Sequence, residues 1–544
     1  MRNQTRNQRW NQAQRWTIAC LLGPMGSTGC TDEPPGDAWE GTTEATPTSD
    51  GDASDTSGPP PADETVTPDD GSSDGESTTT GGLPEQPLVD VEHPREFRGV
   101  WIATVSNINY PSAQGLSVEQ QQQQLRDLLD VMVAHNLNAA LFQIRPESDA
   151  LYASEIEPWS RYLMGTQGQD PGFDPLAYLI EQAHPLGIEV HAWVNPYRAK
   201  ANLGSSLAPG HIALDQPQYA YEYGNLLWMD PGAEAVQERT IDVILDVVDR
   251  YDVDGIHFDD YFYPYPNGEP FPDFDTYQDY LDGGGALMLD DWRRDNVHVL
   301  VEVLYESIVG TRDHVRFGIS PFGIYRPGMP PGIVGLDQYA EIYSDPLVWL
   351  DEGWVDYLAP QLYWPTTQTQ QAYEPLLEWW SSMTSEGRYI FTGNYLSQIG
   401  SSGAWSVDEV LTQVDLSRTY RDLGSMGNIY FHIEPFQSDT LGVGTALAET
   451  FYEVPVLTPP LAAKLGETIA PPWVEQDGGS VTLTAQDDTP LRAWVVYEDA
   501  GAGFELNDIV PVGTDAFDLP SGTWAVSAAA RSGVESQGVL VEVP

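Results

Sequence analysis

The sequence predicts an α/β protein whose main domain is a (β/α)8 TIM barrel. Eight short apolar segments, each typical of a buried strand, recur between residues 94 and 452, and amphipathic helical stretches separate them. The predicted strands are 97–104, 138–145, 188–194, 255–259, 315–320, 355–360, 389–395 and 428–433. The predicted helices include 117–136, 174–186, 233–251, 290–309 and 407–423. No glycine-rich phosphate loop follows any of these strands, so the alternation favours a closed barrel over an open nucleotide-binding sheet.

Two of the predicted helices carry clear start signals. Ser117 followed by Gln120 is the pattern of a capping box, in which each side chain bonds to the other residue's backbone N–H. Asp174 followed by Pro175 is typical of an N-cap with proline in the first turn. These signals predict where the helices after the first and second strands begin.

The charge balance excludes several classes of partner. The 544 residues carry 82 acidic and 24 basic side chains, for a net charge of −58. Nucleic-acid binding needs Lys and Arg to displace counterions from phosphates, and anionic membranes attract basic rather than acidic surfaces. We therefore expect no nucleic-acid partner and no electrostatic attachment to lipid. The two cysteines are too few for a disulfide scaffold, and no apolar run is long enough to predict a transmembrane helix.

The amino-terminal residues have the pattern of an export signal. Residues 1–15 contain four Arg and no acid, a short apolar stretch follows, and the small residues 27–29 precede Cys30. The pattern predicts residues 1–30 to be a signal peptide and Cys30 to be lipidated, which would place the protein in a bacterial cell envelope; plain secretion is the alternative. Residues 31–90 contain 16 Asp or Glu and no Lys or Arg, which predicts a disordered acidic linker.

A second, smaller domain is predicted at the carboxyl-terminal end. After the proline-rich segment 457–460, short alternating runs recur at close spacing through residues 461–544. This spacing is typical of a small β-sandwich, and the segment resembles a fibronectin type III module with Trp494 and Trp524 in its core. We expect it to act as a spacer or packing module.

Polar and aromatic side chains concentrate where the predicted barrel strands end. Active sites of such barrels lie at the carboxyl ends of the strands. Amides, guanidiniums and carboxylates hydrogen bond to sugar hydroxyls, and aromatic faces stack on sugar C–H surfaces, so this rim, including the aromatic run 261–265, predicts a polysaccharide site. The predicted substrate-binding residues are Arg145, Glu147, His191, Trp193, Asn195, Tyr197, Arg198, His257, Tyr261, Arg326, Gln361, Tyr363, Trp364 and Asn394.

Carboxylates at the strand ends predict catalysis. Cleavage of a glycosidic bond usually requires two carboxyl groups. Asp259 is the first candidate, as nucleophile or acid/base, because it shares a strand face with His257 and precedes the aromatic run. Asp260 and Glu434 are the candidate partners. Glu147 ranks below them because Arg145 or Arg198 would neutralise it.

The histidines do not predict a metal site. His191, His257 and His432 lack the local spacing of metal ligands, and we expect neither a metal nor a cofactor. A metal-dependent sugar deacetylase would require these side chains to converge. A non-catalytic glycan-binding protein that uses the same rim is the other competing hypothesis.

Long ordered blocks of the sequence resemble the glycosyl-hydrolase-like family 10. They are FRGVWIAT (97–104), FQIRP (142–146), EPWS (157–160), HAWVNPYR (191–198), YDVDGIHFDDYFYP (251–264), GISPFG (318–323) and APQLYW (359–364). The resemblance covers roughly residues 94–450. It implies a barrel and a glycoside hydrolase role on a cell-wall-type glycan, since members include bacterial envelope lipoproteins acting on peptide-free peptidoglycan strands.

Two more distant likenesses concern the fourth strand. Residues 254–259 are similar to the nucleophile strand of α-amylases, which implies that Asp259 is a nucleophile, with His257 where those enzymes have Arg. The segment is also similar to the strand of family-18 chitinases. Tyr261 stands where those enzymes have their acid Glu, which argues against their substrate-assisted cleavage.

Overall fold

The computed structural model describes residues 86–384, 387–401 and 405–544. Eight parallel strands form a closed barrel. They are β1 (Phe97–Ile102), β2 (Ala139–Arg145), β3 (Glu189–Val194), β4 (Gly255–Phe258), β5 (Arg316–Ile319), β6 (Tyr357–Leu358), β7 (Tyr389–Asn394) and β8 (Ser425–Tyr430). Neighbours around the ring follow the chain order, and the ring closes where Tyr430 of β8 lies opposite Val100 of β1. The predicted (β/α)8 barrel is confirmed.

A helix follows each barrel strand. These helices are α1 (Val118–Ala134), α2 (Pro175–Ala183), α3 (Glu234–Arg250), α4 (Leu289–Thr311), α5 (Pro346–Asp351), α6 (Tyr373–Ser382), α7 (Val407–Thr419) and α8 (Val443–Thr450). Both predicted start signals are confirmed: Ser117 and Gln120 form the capping box of α1, and the Asp174 side chain accepts from the Ala177 N–H at the start of α2. The apolar faces of the helices pack on the outside of the barrel and form the largest core of the molecule.

Large rings fill the lumen of the barrel. Phe97, Trp101, Trp193, Tyr357 and Phe391 are all nearly or fully buried there. Two glycines make room for neighbouring rings. A Cβ on Gly318 would lie 2.0 Å from the ring of Tyr357, and a Cβ on Gly255 would lie 2.6 Å from Nδ1 of His191. The lumen is therefore a packed core in which small and large residues alternate between strands.

The loops on the carboxyl side of the barrel hold further short elements. A three-stranded sheet follows β3 and contains Arg198–Lys200, Ala220–Tyr223 and Leu226–Met229. The short helix Ile212–Asp215 lies in the same loop, and short helices in other loops are Arg161–Met164, Phe274–Asp282, Gln338–Glu341 and Glu434–Gln437. The sequence analysis predicts none of these elements, because they are too short to show a clear period.

Two antiparallel sheets follow the barrel. One contains, in spatial order, Leu88–Val89, Gly538–Val543, Gly522–Ala530, Leu491–Asp499 and Phe504–Pro511; the other contains Trp473–Asp477, Ser480–Thr484 and Ala516–Asp518. Trp494 and Trp524 lie buried in the core between them. We call these two sheets the C-terminal module; their likeness to fibronectin type III stays a prediction.

The predicted amino-terminal segments lie mostly outside the described residues. The described residues begin at 86. They therefore do not include the predicted signal peptide 1–30, the predicted lipidation site Cys30 or residues 31–85 of the predicted linker. The end of the predicted linker is described and has regular structure. Leu88 and Val89 pair antiparallel with Val539 and Gly538, and thus form the edge strand of the larger sheet.

The C-terminal module docks on the amino-terminal ends of the barrel strands through buried charges. Arg492 of the module lies 3.2 Å from Glu189 of β3 and 3.0 Å from Asp254, which precedes β4. Arg531 of the module lies 2.7 Å from the same Asp254 carboxylate. The side chains of Glu189 and Asp254 are only 1% and 2% exposed. Because water cannot reach these carboxylates, the arginines stabilise their negative charges.

None of the helices in residues 86–384, 387–401 and 405–544 combines the length and the apolar character needed to cross a membrane.

Arg492→Gln should lower the free energy of unfolding by roughly 3 kcal/mol, because it removes a cation from two buried carboxylates. Urea denaturation at neutral pH measures the change. Lys464→Gln is the matched control: Lys464 pairs with Asp313 and Glu467, which are more than half exposed, and its loss should cost less than about 1 kcal/mol. Equal destabilisation by the two variants would contradict the assignment of the docking charge pairs.

Candidate active site

Asp259 lies directly after β4, at the carboxyl end of the barrel, and is only 5% exposed. Its Oδ2 accepts two hydrogen bonds, from the Asn195 side-chain amide at 2.6 Å and from the Trp193 indole N–H at 3.2 Å. The backbone N–H of Tyr261 lies 3.4 Å from Oδ1. One carboxylate oxygen thus has two firm donors, and the other has a single long contact.

Asn195 is held in one orientation by its neighbours. Its Oδ1 accepts from the Gln143 amide at 2.7 Å and from the Arg198 guanidinium at 2.9 Å. Because both contacts need an acceptor, the amide NH2 must face Asp259. Arg198 also brings a positive charge to this end of the barrel, and its guanidinium lies 5.6 Å from the ring centre of Tyr261.

Asp260 follows in the chain and has a separate set of partners. It is 1% exposed, and the Tyr265 hydroxyl donates to its Oδ2. Gln361, which follows β6, also hydrogen bonds to this carboxyl. The amide of Gln361 additionally donates to the Ser320 carbonyl at 3.0 Å, so it links the loops after β4, β5 and β6.

Both carboxyl groups have raised pKa values. Burial, followed by the nearby charge of Asp260, raises the pKa of Asp259 to about 7, although Arg198 and Asn195 act in the opposite direction. Burial raises the pKa of Asp260 to about 6, against the hydrogen bonds from Tyr265 and Gln361. Asp260 therefore loses its proton first, and Asp259 retains its proton to near neutral pH. Carboxyl pairs whose environments separate their pKa values are typical of acid–base sites.

Half-buried aromatic rings surround the two carboxyl groups; we call this end of the barrel the mouth. Tyr363 stacks on Tyr395 with ring centres 4.7 Å apart, and Phe431 lies 6.0 Å from each. On another side, Phe322 contacts Tyr265 at 6.2 Å and Trp364 at 5.8 Å. These rings offer apolar faces beside polar groups, which suits a ligand that has both.

The structure brings together seven of the predicted site residues around the mouth. They are Trp193, Asn195, Arg198, Asp259, Asp260, Tyr261 and Gln361. Tyr363 and Trp364 belong to the aromatic contacts described above. Trp193 lies within β3, and all the others follow the carboxyl end of a barrel strand, where the active sites of such barrels lie.

Other predicted site residues take structural positions instead. Arg145 is fully buried and pairs with Glu157 at 2.5 Å, so it does not face the mouth. Glu147 pairs with Arg161 at 2.7 Å, rather than with either of the arginines expected to neutralise it. Tyr197 is buried in the core outside the barrel. Asn394 is turned outward, where its amide donates to Tyr373 and Gln413.

The two lumen histidines are also away from the mouth. His191 and His257 are both fully buried, and each lies 3.0 Å from the hydroxyl of Tyr357. Arg326 forms a partly exposed pair with Asp337. Glu434 lies exposed on the short helix Glu434–Gln437, and no contact joins it to Asp259 or Asp260. Within the described residues, no three His, Cys, Asp or Glu side chains are grouped as a metal site requires.

Four aromatic residues of the mouth are not among the predicted site residues: Tyr265, Phe322, Tyr395 and Phe431. The aromatic run after β4 includes Tyr265, but nothing in the pattern links its hydroxyl to Asp260. Phe431 follows β8 and meets the rings after β6 and β7, which requires the loops after three neighbouring strands to converge. A contact that depends on loop conformation or ring closure leaves no local signal in the sequence.

The comparisons with known proteins identify the family. The model of the family described as "Glycosyl hydrolase-like 10" matches residues 96–409. The chain belongs to this family. Glycosyl hydrolase YngK of Bacillus subtilis is 38% identical over 385 residues, which cover 68% of this chain and 75% of that protein. Glycosyl hydrolase DigH of Escherichia coli K12 is 32% identical over 375 residues, which cover 63% of this chain and 84% of that protein.

Among solved structures, α-L-fucosidase isoenzyme 2 from Paenibacillus thiaminolyticus is similar with a TM-score of 0.42 and 13% identity, covering 65% of this chain and 49% of that one. The resemblance stated from the sequence blocks is thus confirmed at the level of the family. Membership in the glycosyl hydrolase-like 10 family supports a glycosyl hydrolase-type function.

Asp259→Asn should stabilise the protein in a pH-dependent way. The folded protein raises the pKa of Asp259, so wild-type stability falls as the pH rises from the ordinary carboxyl range through about 7. The gain from the substitution should be near zero below about pH 4 and roughly 4 kcal/mol well above pH 7. Denaturation across this range measures it. A pH-independent gain for Asp259→Asn would contradict the burial argument.

Proposed function

We propose that the protein hydrolyses glycosidic bonds in a cell-wall-type polysaccharide, specifically peptide-free peptidoglycan glycan strands. The observation that carries this proposal is the pair of adjacent carboxyl groups, Asp259 and Asp260, whose pKa values are raised to different extents beside an aromatic mouth. Family membership supports the reaction type.

Asp259 is the proposed general acid. It has the higher pKa of the pair, and its Oδ1, which lacks a strong donor, is free to carry the proton. The proton passes to the glycosidic oxygen as the bond to the anomeric carbon breaks. The remaining carboxylate is then stabilised by the N–H groups of Asn195 and Trp193 and by the charge of Arg198.

Asp260 is the proposed second carboxylate. Its lower pKa leaves it ionised while Asp259 is still protonated. It acts either as nucleophile at the anomeric carbon or as base toward the attacking water, whose hydroxyl joins the sugar. Tyr265 and Gln361 hold its side chain through hydrogen bonds. Glu434 does not contact this pair and is the weaker candidate.

The hydrolase proposal predicts a narrow pH optimum. The active form has Asp260 ionised and Asp259 protonated, so kcat/KM should fall below about pH 6 and above about pH 7. Release of new reducing ends from peptide-free glycan strands measures the rate. A rate that keeps rising well above pH 7 would contradict Asp259 as the acid.

Single substitutions separate the proposed roles. Asp259→Asn and Asp260→Asn should each lower the cleavage rate by roughly a hundred- to ten-thousandfold, the range contributed by a positioned acid or base. Glu434→Gln should stay within about threefold of wild type. Loss of cleavage in Glu434→Gln alone would transfer the partner role to Glu434. Binding of glycan strands by wild type without any cleavage would instead indicate a glycan-binding protein, and acetate release that stops on chelation would indicate a deacetylase.

The aromatic cluster predicts a loss of affinity. Tyr363→Ala in the Asp259→Asn protein should weaken binding of glycan oligosaccharides about tenfold, since an aromatic stacking contact is worth on the order of 1 kcal/mol beyond its buried area. Isothermal calorimetry measures the change. Tyr420→Ala, on the helical side of the barrel, is the control, because its ring has no part in the mouth. Equal affinities for Tyr363→Ala and Tyr420→Ala would show that the cluster does not bind the sugar.

A further inference from the structure

A continuous line of hydrogen-bonded side chains runs through the barrel lumen. The Trp101 indole N–H donates to Nε2 of His257 at 3.1 Å, and Nδ1 of His257 lies 3.0 Å from the Tyr357 hydroxyl. The same hydroxyl lies 3.0 Å from Nδ1 of His191, whose Nε2 lies 3.0 Å from the Glu189 carboxylate. All five side chains are at most 2% exposed. The hydrolase mechanism described above uses none of these five residues directly.

With both imidazole rings neutral, one arrangement of protons satisfies every contact in this line. An indole N–H can only donate, so Nε2 of His257 must accept and its proton must be on Nδ1. That proton goes to the Tyr357 oxygen, and the Tyr357 hydroxyl proton goes to Nδ1 of His191. His191 therefore carries its own proton on Nε2 and donates it to Glu189, which as a carboxylate can only accept.

Two arginines, one from the barrel and one from the C-terminal module, keep Glu189 ionised. Burial opposes its charge, but Arg492 and Arg316 outweigh burial and lower the pKa of Glu189 to about 2. Thr458, in the segment between barrel and module, donates to the second oxygen of the same carboxylate at 2.5 Å. The acceptor at this end of the line is thus fixed by Arg316 of β5 together with Arg492 and Thr458, which lie outside the barrel strands.

The other end of the line contacts the aromatic cluster of the mouth. The Trp101 ring centre lies 6.2 Å from that of Phe431 in an edge-on arrangement, and Phe431 contacts both Tyr363 and Tyr395. Gly393 leaves room for the indole, since a Cβ there would lie 3.2 Å from it. The hydrogen bond from Trp101 to His257 fixes the plane of the indole, and the indole in turn limits where the Phe431 ring can lie.

We propose that Glu189 is a positioning residue for the sugar-binding mouth, acting through His191, Tyr357 and His257 on the plane of Trp101. The inference rests on the proposed function, because it assigns the aromatic cluster to glycan binding. A carboxylate at the amino-terminal end of β3 thereby orders rings at the carboxyl end of the barrel. Through Arg492, the docked C-terminal module becomes part of the binding apparatus.

Tyr357→Phe tests the middle of the line. It removes one hydroxyl and keeps the ring that packs in the lumen. The matched control is Tyr452→Phe, which removes a buried hydroxyl that pairs with Tyr430 at 2.7 Å outside the lumen. Both variants are made in the Asp259→Asn protein, so that glycan affinity is measured without cleavage. Tyr357→Phe should weaken binding of peptide-free glycan oligosaccharides about tenfold, and Tyr452→Phe should not change it.

Glu189→Gln tests the end of the line. The oxygen of the introduced glutamine should turn toward Arg492, so that the amide NH2 faces His191. The amide N–H and the Nε2–H of His191 would then both be donors, and no hydrogen bond could form between them. We expect the same loss of glycan affinity, together with altered imidazole ¹⁵N signals of His257. In the protein with Glu189 intact, those signals should show a neutral ring protonated on Nδ1. This spectroscopic readout separates a positioning role from simple anchoring of the module, which would lower stability and leave the His257 signals unchanged.

The outcomes that would overturn the role of Glu189 alone differ from the outcome that would overturn the proposed function as well. Unchanged affinity in Tyr357→Phe, or a His257 ring protonated on Nε2 while Glu189 is intact, would remove the positioning role and leave the proposed function in place. No glycan binding by the Asp259→Asn protein itself, together with no cleavage by wild type, would overturn the proposed function and the role of Glu189 with it.

Discussion

Backbone pairing between the last and the first barrel strands is the constraint on which the site depends. When Tyr430 of β8 aligns with Val100 of β1, the ring closes, and residues more than three hundred positions apart become neighbours. Phe431 then reaches Trp101. An open sheet with the same strands would keep Asp259 next to Asn195 but would lose the contact between Phe431 and Trp101.

Closure of the barrel also determines how its buried carboxyl groups are stabilised. A closed barrel has no water-filled centre, so every polar group in the lumen needs a protein partner. At the amino-terminal end, arginines compensate Glu189 and Asp254 fully, and both carboxyl pKa values fall. At the mouth, Asp259 and Asp260 receive mostly neutral donors, and their pKa values rise. The same degree of burial thus produces permanent anions at one end and groups that exchange protons at the other.

The sequence was sufficient for the order and type of the elements, because eight apolar runs with intervening amphipathic helices leave few alternatives. It also located Asp259 and Asn195, which stand at strand ends where the architecture requires a site. It could not show which face of β7 turns inward: Asn394 faces the helices, while Phe391 of the same strand faces the lumen. Nor could it show that Arg145 pairs with Glu157, because that contact depends on how the loop after β2 folds back.

Family resemblance and residue chemistry contributed different parts of the site. The block 251–264 pointed to Asp259 and Asp260, and the structure gives these two residues different partners and different pKa values. His191 and His257, in these blocks, were predicted to bind the substrate. Their burial on either side of Tyr357 shows instead that a polar residue on a barrel strand can serve internal order.

The edge strand Leu88–Val89 has a mechanical consequence. The chain passes through the larger sheet of the C-terminal module before it enters the barrel, and it returns to that sheet after leaving the barrel. A protease that cuts the connection near residues 457–460 would therefore not release the module, because the strand Leu88–Val89, which precedes β1, would remain paired with the module's sheet. Barrel and module are accordingly expected to unfold in one cooperative step, and exchanging the module for another domain would require replacing both ends of the fold together.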